Sequence, residues 1–158
     1  MIVLVPSFRV LEAWPMVNGH IDRALEHAPD WMTGIMVYEA LAAGHAQLAL
    51  LYGDDQTVRW TERPKPLGTL VLEVRQYAGP KLVTNVWAFG GEPGIWKAHQ
   101  VEIEAFLDAW SSAHGCDTIM MQGRPGWQKL LSDDWRFRPV VEAQRPVRNP
   151  GHGIHAFP

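Results

Sequence analysis

The residues best placed to do chemistry in this chain surround a glycine-rich turn. Gly90-Gly91-Glu92-Pro93-Gly94 follows an apolar run and precedes a helical pattern beginning at Ile95. A helix start presents unpaired N–H groups and the positive end of the helix dipole, and glycines let a ligand approach the backbone. An anion such as a pyrophosphate is one occupant; a tight connection with no ligand is the other reading of the same residues. Pro93 removes one N–H donor, Glu92 puts negative charge where a phosphate would lie, and the turn holds no Lys or Arg. A second candidate is Gln122–Leu131, QGRPGWQKLL. There Arg124 either grips an acidic group or pairs with Asp133 or Asp134, and Trp127 is expected to plug the core. The histidines are scattered, and His152-Gly153-Ile154-His155 lacks the Cys or carboxylate neighbours of a metal centre, so no metal site is expected. Arg136, Arg138, Arg145 and Arg148 suit phosphates, but a solvated strand edge or a partner contact is their commoner use. Cys116 follows a helix end and reads as an inert core thiol, and there is no Gly-x-Ser-x-Gly elbow.

These residues need elements to hold them. Ile2–Val5 is a short apolar run ended by Pro6, a first strand. Phe8–His27 carries Leu11, Trp14, Val17, Ile21, Ala24 and Leu25 at helical spacing, with Pro15 placed near the helix start. Thr33–Ala43 is a second helix, with Gly44 as its C-terminal cap. Gln47–Tyr52, Thr69–Gln76 and Lys81–Phe89 read as strands, the last two as a hairpin, and Val58–Trp60 as a continuation of the meander. Leu70, Leu72 and Val74 share one face. Ile95 to Ala113 is a long helix whose Ile103, Phe106, Leu107 and Trp110 form one stripe, closed by Gly115. A buried strand Thr118–Gln122, a short helix Trp127–Ser132 and a last strand Phe137–Ala143 follow. The class is α/β, an α+β mixed sheet, in one domain over residues 1–143 with a Pro/Gly-rich tail over 144–158.

Composition narrows the function. The chain has 158 residues, 47% apolar and 20% charged, enough for one packed core. Fourteen Lys+Arg against 17 Asp+Glu give a net charge of −3, which makes nucleic acid an unlikely partner, although a local basic patch would still be compatible. A single cysteine excludes an internal disulfide framework. No apolar run has the length of a membrane span, and MIVLVPSFRV lacks the basic and small-residue features of a signal peptide. Eight tryptophans point to a large aromatic core or a contact surface.

A meander feeding a glycine-rich turn, a long helix, a buried strand, a short helix and a closing strand resembles the GNAT fold (Gcn5-related N-acetyltransferases). FGGEPGIW, EAFLDAWSSAHGCDTI and QGRPGWQKLL, with Trp14-Pro15-Met16-Val17 and Leu41-Ala42-Ala43-Gly44, look like the GNAT-like proteins of tailed bacteriophages, over about residues 8–143. The resemblance implies a V-shaped splay between Lys81–Phe89 and Thr118–Gln122, with helices on both faces of the sheet. Acetyl-CoA would lie in it, its pantetheine along Trp87, Ala88 and Phe89 and its pyrophosphate at Gly90, Gly91, Gly94 and Ile95. The sequence departs from the family's Arg/Gln-x-x-Gly-x-Gly/Ala turn. It also places Leu130 where the family's tyrosine protonates the leaving thiolate, and leucine has no proton to donate. Glu73 is the one carboxylate of the meander core and the candidate general base, its alternation pointing it either inward or to solvent.

Two functions follow from this resemblance. One is a catalytically degenerate component of a phage particle, in the virion or the host cytoplasm, meeting protein partners or a second copy of itself through the tail and exposed tryptophans. The other is an acetyl-CoA-dependent N-acyltransferase acting on an amine of a protein or small molecule. If the phosphates of CoA sit at the turn, Glu92→Gln should tighten CoA binding in calorimetry by relieving repulsion; unchanged affinity would place the phosphates elsewhere.

Overall fold

Four apolar segments pair into a meander because each alternates or is apolar throughout. They are β1 (Ile2–Val5), β2 (Gln47–Leu51), β3 (Gly68–Gln76) and β4 (Leu82–Gly91). β5 (Cys116–Met121) joins β4 in parallel, and the sheet order is β1-β2-β3-β4-β5 with every other pair antiparallel. The computed structural model describes residues 1–26, 28, 32–53, 65–76, 79–122, 129 and 131–136.

Helices cover both faces, so a central strand such as β2 is apolar on both sides. On one face, α1 (Val10–Leu25) and α2 (Gly34–Ala42) bury Val10, Ala13, Val17, Ile21, Val37 and Leu41 against Leu48, Leu50, Val71 and Ala88. On the other, α4 (Gln100–Ala113) sets Ile103, Leu107 and Trp110 against Ala49, Leu51, Leu70, Leu72 and Val86. A buried hydrogen bond from Thr84 Oγ1 to Ser111 Oγ at 2.7 Å fixes α4 on β4. The Thr33 side chain accepts from the Met36 N–H at the start of α2, satisfying one of the donors a helix start leaves open. Gly44 and Gly115, at φ of 75° and 68°, end α2 and α4 as their caps require.

Several boundaries differ from the sequence reading. A 3-10 turn, Ser7–Arg9, precedes α1, and Pro15 lies inside that helix. The long helix over 95–113 is two: α3 (Ile95–Ala98), a break at His99 with φ −120° and ψ 21°, then α4. β4 takes in Gly90 and Gly91, which pair with Thr69 and Gly68, so the first half of the expected turn is strand. β5 is the outermost strand among the described residues and is half exposed rather than buried; Cys116 is only partly covered, not a core thiol. Val74 is exposed because β3 runs past its helical cover. Trp14, Trp87, Trp96, Trp110 and Trp135 are buried or half-buried, and the large apolar side chains facing solvent include Phe8, Leu11, Ile35 and Val101. Val58–Trp60, half of Trp127–Ser132, Phe137–Ala143, the tail over 144–158 and Trp31, Trp60 and Trp127 lie outside the described residues.

Gly90 packs under α1 so closely that a Cβ there would overlap the His20 backbone carbonyl. Gly19, in the exposed middle of α1, has open space around its would-be Cβ. Gly90→Ala is therefore expected to cost about 3 kcal/mol or more in urea unfolding, since helix backbone must move. Gly19→Ala should stabilise by roughly 0.5–1 kcal/mol.

Candidate functional site

β4 is asymmetric along its two edges. Its β3 edge is paired from Leu82 to Gly91, with Val86 opposite Leu72 and Ala88 opposite Val71, so Trp87 is one residue extra. This is a β-bulge, which bends a strand and ends regular pairing. On the other edge the parallel ladder with β5 runs from Leu82↔Cys116 to Val86↔Met121 and stops. Past Val86, then, β4 runs on beyond its described ladder with β5, and the change falls at the bulge. The bulge also gives the α1 face two successive residues, Trp87 and Ala88, both of which pack with that core. The Trp87 Nε1–H donates to Met32 Sδ at 3.0 Å.

The turn that follows is more fully occupied by the chain itself than its glycines suggest. Gly90 is required by the His20 carbonyl, and a Cβ at Gly91 would crowd the Leu67 carbonyl and the Ile95 side chain. Only Gly94, at φ 80° with nothing within 4 Å of its would-be Cβ, is open. The Glu92 N–H donates to the Leu67 carbonyl at 3.0 Å and the Ile95 N–H to the Glu92 carbonyl at 3.1 Å. The cation missing from the turn in sequence arrives from elsewhere: Lys65 Nζ lies 2.9 Å from Glu92 Oε1. This hydrogen-bonded ion pair holds the Glu92 carboxyl below its ordinary range. Beyond the turn, Lys97, His99, Gln100 and Glu102 line a shallow depression at the start of α4.

Glu73 is directed to the α1 face, not to solvent. It lies opposite Asn85 in the β3–β4 register and accepts from Asn85 Nδ2 at 2.6 Å, while Arg75 Nε pairs with it at 2.5 Å. A carboxylate held by an amide and a guanidinium is fixed in direction. Asn85 precedes the bulge residue by two, so this group shares a face with Trp87. Glu104 on α4 accepts from Gln100 Nε2, from the Ser132 N–H and from Trp135 Nε1, at 3.1, 3.4 and 3.1 Å. Burial pushes its carboxyl up, but these bonds outweigh burial and hold it below the usual value. They fasten residues 131–136 to α4.

Of the residues singled out in sequence, Trp87, Ala88, Phe89, Gly90, Gly91, Gly94 and Ile95 are one continuous path along β4 and into α3. Arg124, Trp127, Leu130, Arg138, Arg145, Arg148, His152 and His155 lie outside the described residues, and Arg136 is exposed. Among the described residues no cluster of His, Cys, Asp and Glu could hold a metal, and no helix is long and apolar enough to cross a membrane. Sequence reading missed Lys65, His20, Thr69, Asn85 and Arg75, because each acts through the β3–β4 register or the packing of α1.

Whether this edge fits an acyl-CoA can be tested on the chain's own groups. An extended arm bearing amides would fit along β4 past Val86, on the edge where the described ladder with β5 has ended. For the phosphates, the turn offers the open side of Gly94 and the Lys65 ammonium, so the residues present fit the group through a side-chain cation.

No family model matches the chain, and no curated protein does. Solved structures match over nearly the whole length. An aminoglycoside acetyltransferase from an uncultured soil metagenomic sample, in complex with sisomicin, superposes with a TM-score of 0.63 at 9% identity, covering 94% of this chain and 96% of that one. A GNAT family acetyltransferase of Staphylococcus aureus gives 0.61 at 11%, covering 92% and 98%. Aminoglycoside N-acetyltransferase AAC(6')-Iy in complex with CoA gives 0.62 at 16%, covering 92% and 95%. The chain has the GNAT fold: a mixed five-stranded sheet, mostly antiparallel, with one parallel pair.

His20, beside the turn, is buried and shares a hydrogen bond with Thr69 Oγ1 at 3.0 Å. Burial first, then Arg23, lowers its pKa from the ordinary 6.5, against an opposing pull from Glu92. The unfolded chain therefore binds this proton more readily than the folded one. Stability should be full above about pH 6.5 and fall as pH drops below it; His20→Gln should flatten that slope in urea unfolding between pH 7 and 5.

Proposed function

We propose that the chain is an acetyl-CoA-dependent N-acyltransferase that acylates an amine of a small molecule or protein. The observation that carries this reading is the end of the β4–β5 ladder at Val86, beside the bulge at Trp87, in the only parallel pair among the described strands. The neighbours in structure include enzymes described as acetyltransferases, one of them in complex with CoA, and they support this reading. They lend nothing to a role inside a phage particle, for which no feature of the described residues speaks.

A bound acyl-CoA would supply the thioester whose acyl group is transferred. The chain's part is then to place and deprotonate. The backbone of Trp87–Gly91 orients the donor arm, and orientation alone supplies much of the barrier reduction in such transfers. Glu73, aimed by Asn85 and Arg75 along the α1 face, would take the proton from the attacking amine nitrogen as the N–C bond forms and the thioester C–S bond breaks, CoA leaving as thiolate and taking a proton from solvent. Trp87, packed on Met32 beside it, bounds the acceptor side.

Calorimetry with acetyl-CoA is expected to give micromolar binding, and thiol release in the presence of a primary amine should follow. No heat at millimolar ligand would remove the enzyme reading. Glu73→Gln should lower the transfer rate by about 10²-fold while leaving acetyl-CoA affinity as it was. A wild-type rate in that variant would take the base role from Glu73.

A further inference from the structure

We propose that Lys65 is the residue that grips the donor's phosphates, and that Glu92 is its resting counter-ion, exchanged for phosphate on binding. This rests on the acyl-CoA reading above and assigns a residue that the turn's own sequence does not contain.

The argument begins with what the turn lacks. Two of its N–H groups, those of Glu92 and Ile95, already donate to carbonyls of the chain, and Pro93 has none. Gly90 and Gly91 are filled from behind by the His20 carbonyl, the Leu67 carbonyl and Ile95. Two of the turn's N–H groups are therefore already used, and a side-chain cation supplies attraction that they do not.

Register puts that side chain in place. Gly68 pairs with Gly91 and the Leu67 carbonyl receives the Glu92 N–H, so the residues just before β3 run beside the turn. Lys65 stands there, with its ammonium 2.9 Å from Glu92. Both partners are well exposed, at 76% and 43% of their side-chain surface. An exposed ion pair of this kind contributes little to stability and opens readily. A phosphate offers more charge and more acceptor oxygens than a carboxylate, so it wins the ammonium when it arrives. Glu92, once released, still faces the Arg23 side of α1, whose charge already favours its ionised form.

The two residues then have opposite effects on donor affinity, and the effects are coupled. The test is calorimetry on the full chain with CoA and with pantetheine, which lacks the phosphates. Both substitutions are on the surface, so folding is not at issue. Lys65→Gln should weaken CoA by roughly fivefold and leave pantetheine unchanged. Glu92→Gln should tighten CoA several-fold, and that gain should vanish when Lys65→Gln is already present. If Glu92 acts only by repelling phosphate, its gain persists or grows in the Lys65→Gln background, and the exchange is overturned. CoA affinity unaffected by Lys65→Gln, or an equal loss for pantetheine, also overturns it while leaving the acyl-CoA reading standing. No heat from the wild-type chain with either ligand removes both.

Discussion

A strand buried inside a sheet must find partners for the backbone groups on both of its edges, because an unpaired buried N–H or C=O is costly. β4 meets that demand on one edge along its whole length and on the other only as far as Val86. The bulge at Trp87 is what makes the half-paired state workable. It falls where the described ladder with β5 stops, and a bulge bends a strand and ends regular pairing. The rest of the molecule is arranged around that one interruption: α4 anchors β4 before it through Thr84 and Ser111, and α1 backs β4 beyond it at Gly90.

The backing by α1 explains features that would otherwise look unrelated. The His20 carbonyl presses on Gly90, and the His20 ring bonds to Thr69, the residue that pairs with Gly90 across the ladder. Helix, central strand and free strand are thus tied at one point. A side chain at Gly90 would separate them. The glycine serves contact within the protein, and the direction in which the free edge faces follows from it. The cost is a buried imidazole, whose burial disfavours its charged form and so lowers its pKa.

Much of this architecture was readable from residue spacing. The stripe Ile103, Leu107, Trp110 and the alternation of Leu70 and Leu72 fix α4 and β3, because burial on one face imposes period. The caps at Gly44 and Gly115 were equally plain, since a left-handed residue after a helix is most cheaply glycine. Three things escaped. The bulge has no local signature: Trp87 is an ordinary strand residue, and only the partner strand shows that it is one too many. The strand was expected to stop before Gly90 and Gly91 because glycine weakens strands, yet close approach of another backbone is the case in which a strand keeps them. Lys65 sits 27 positions from Glu92 in sequence. Carrying the hairpin register outward from its turn would have brought the two together, but the segment before β3 reads as loop, and loops carry no period.

The comparison structures share the fold at identities between 9% and 16%, so the conserved physics is not in side-chain identity. In this chain the architecture rests on the constraints just described: a two-sided apolar sheet, a strand whose ladder on one side ends partway, and a helix start beyond it. None of these specifies how charge on a ligand is met. A turn rich in free N–H groups and a turn whose N–H groups are already bonded can sit on the same backbone path, and the second must draw its cation from wherever the register allows. In this chain the segment before β3 is the one that the Leu67–Glu92 bond holds against the turn. The fold thus sets the backbone path of β4 and its turn, while the electrostatics beside that turn are free to be assembled from residues distant in sequence. That is the physical reason a chain can keep this architecture while the cation at its turn comes from outside the turn.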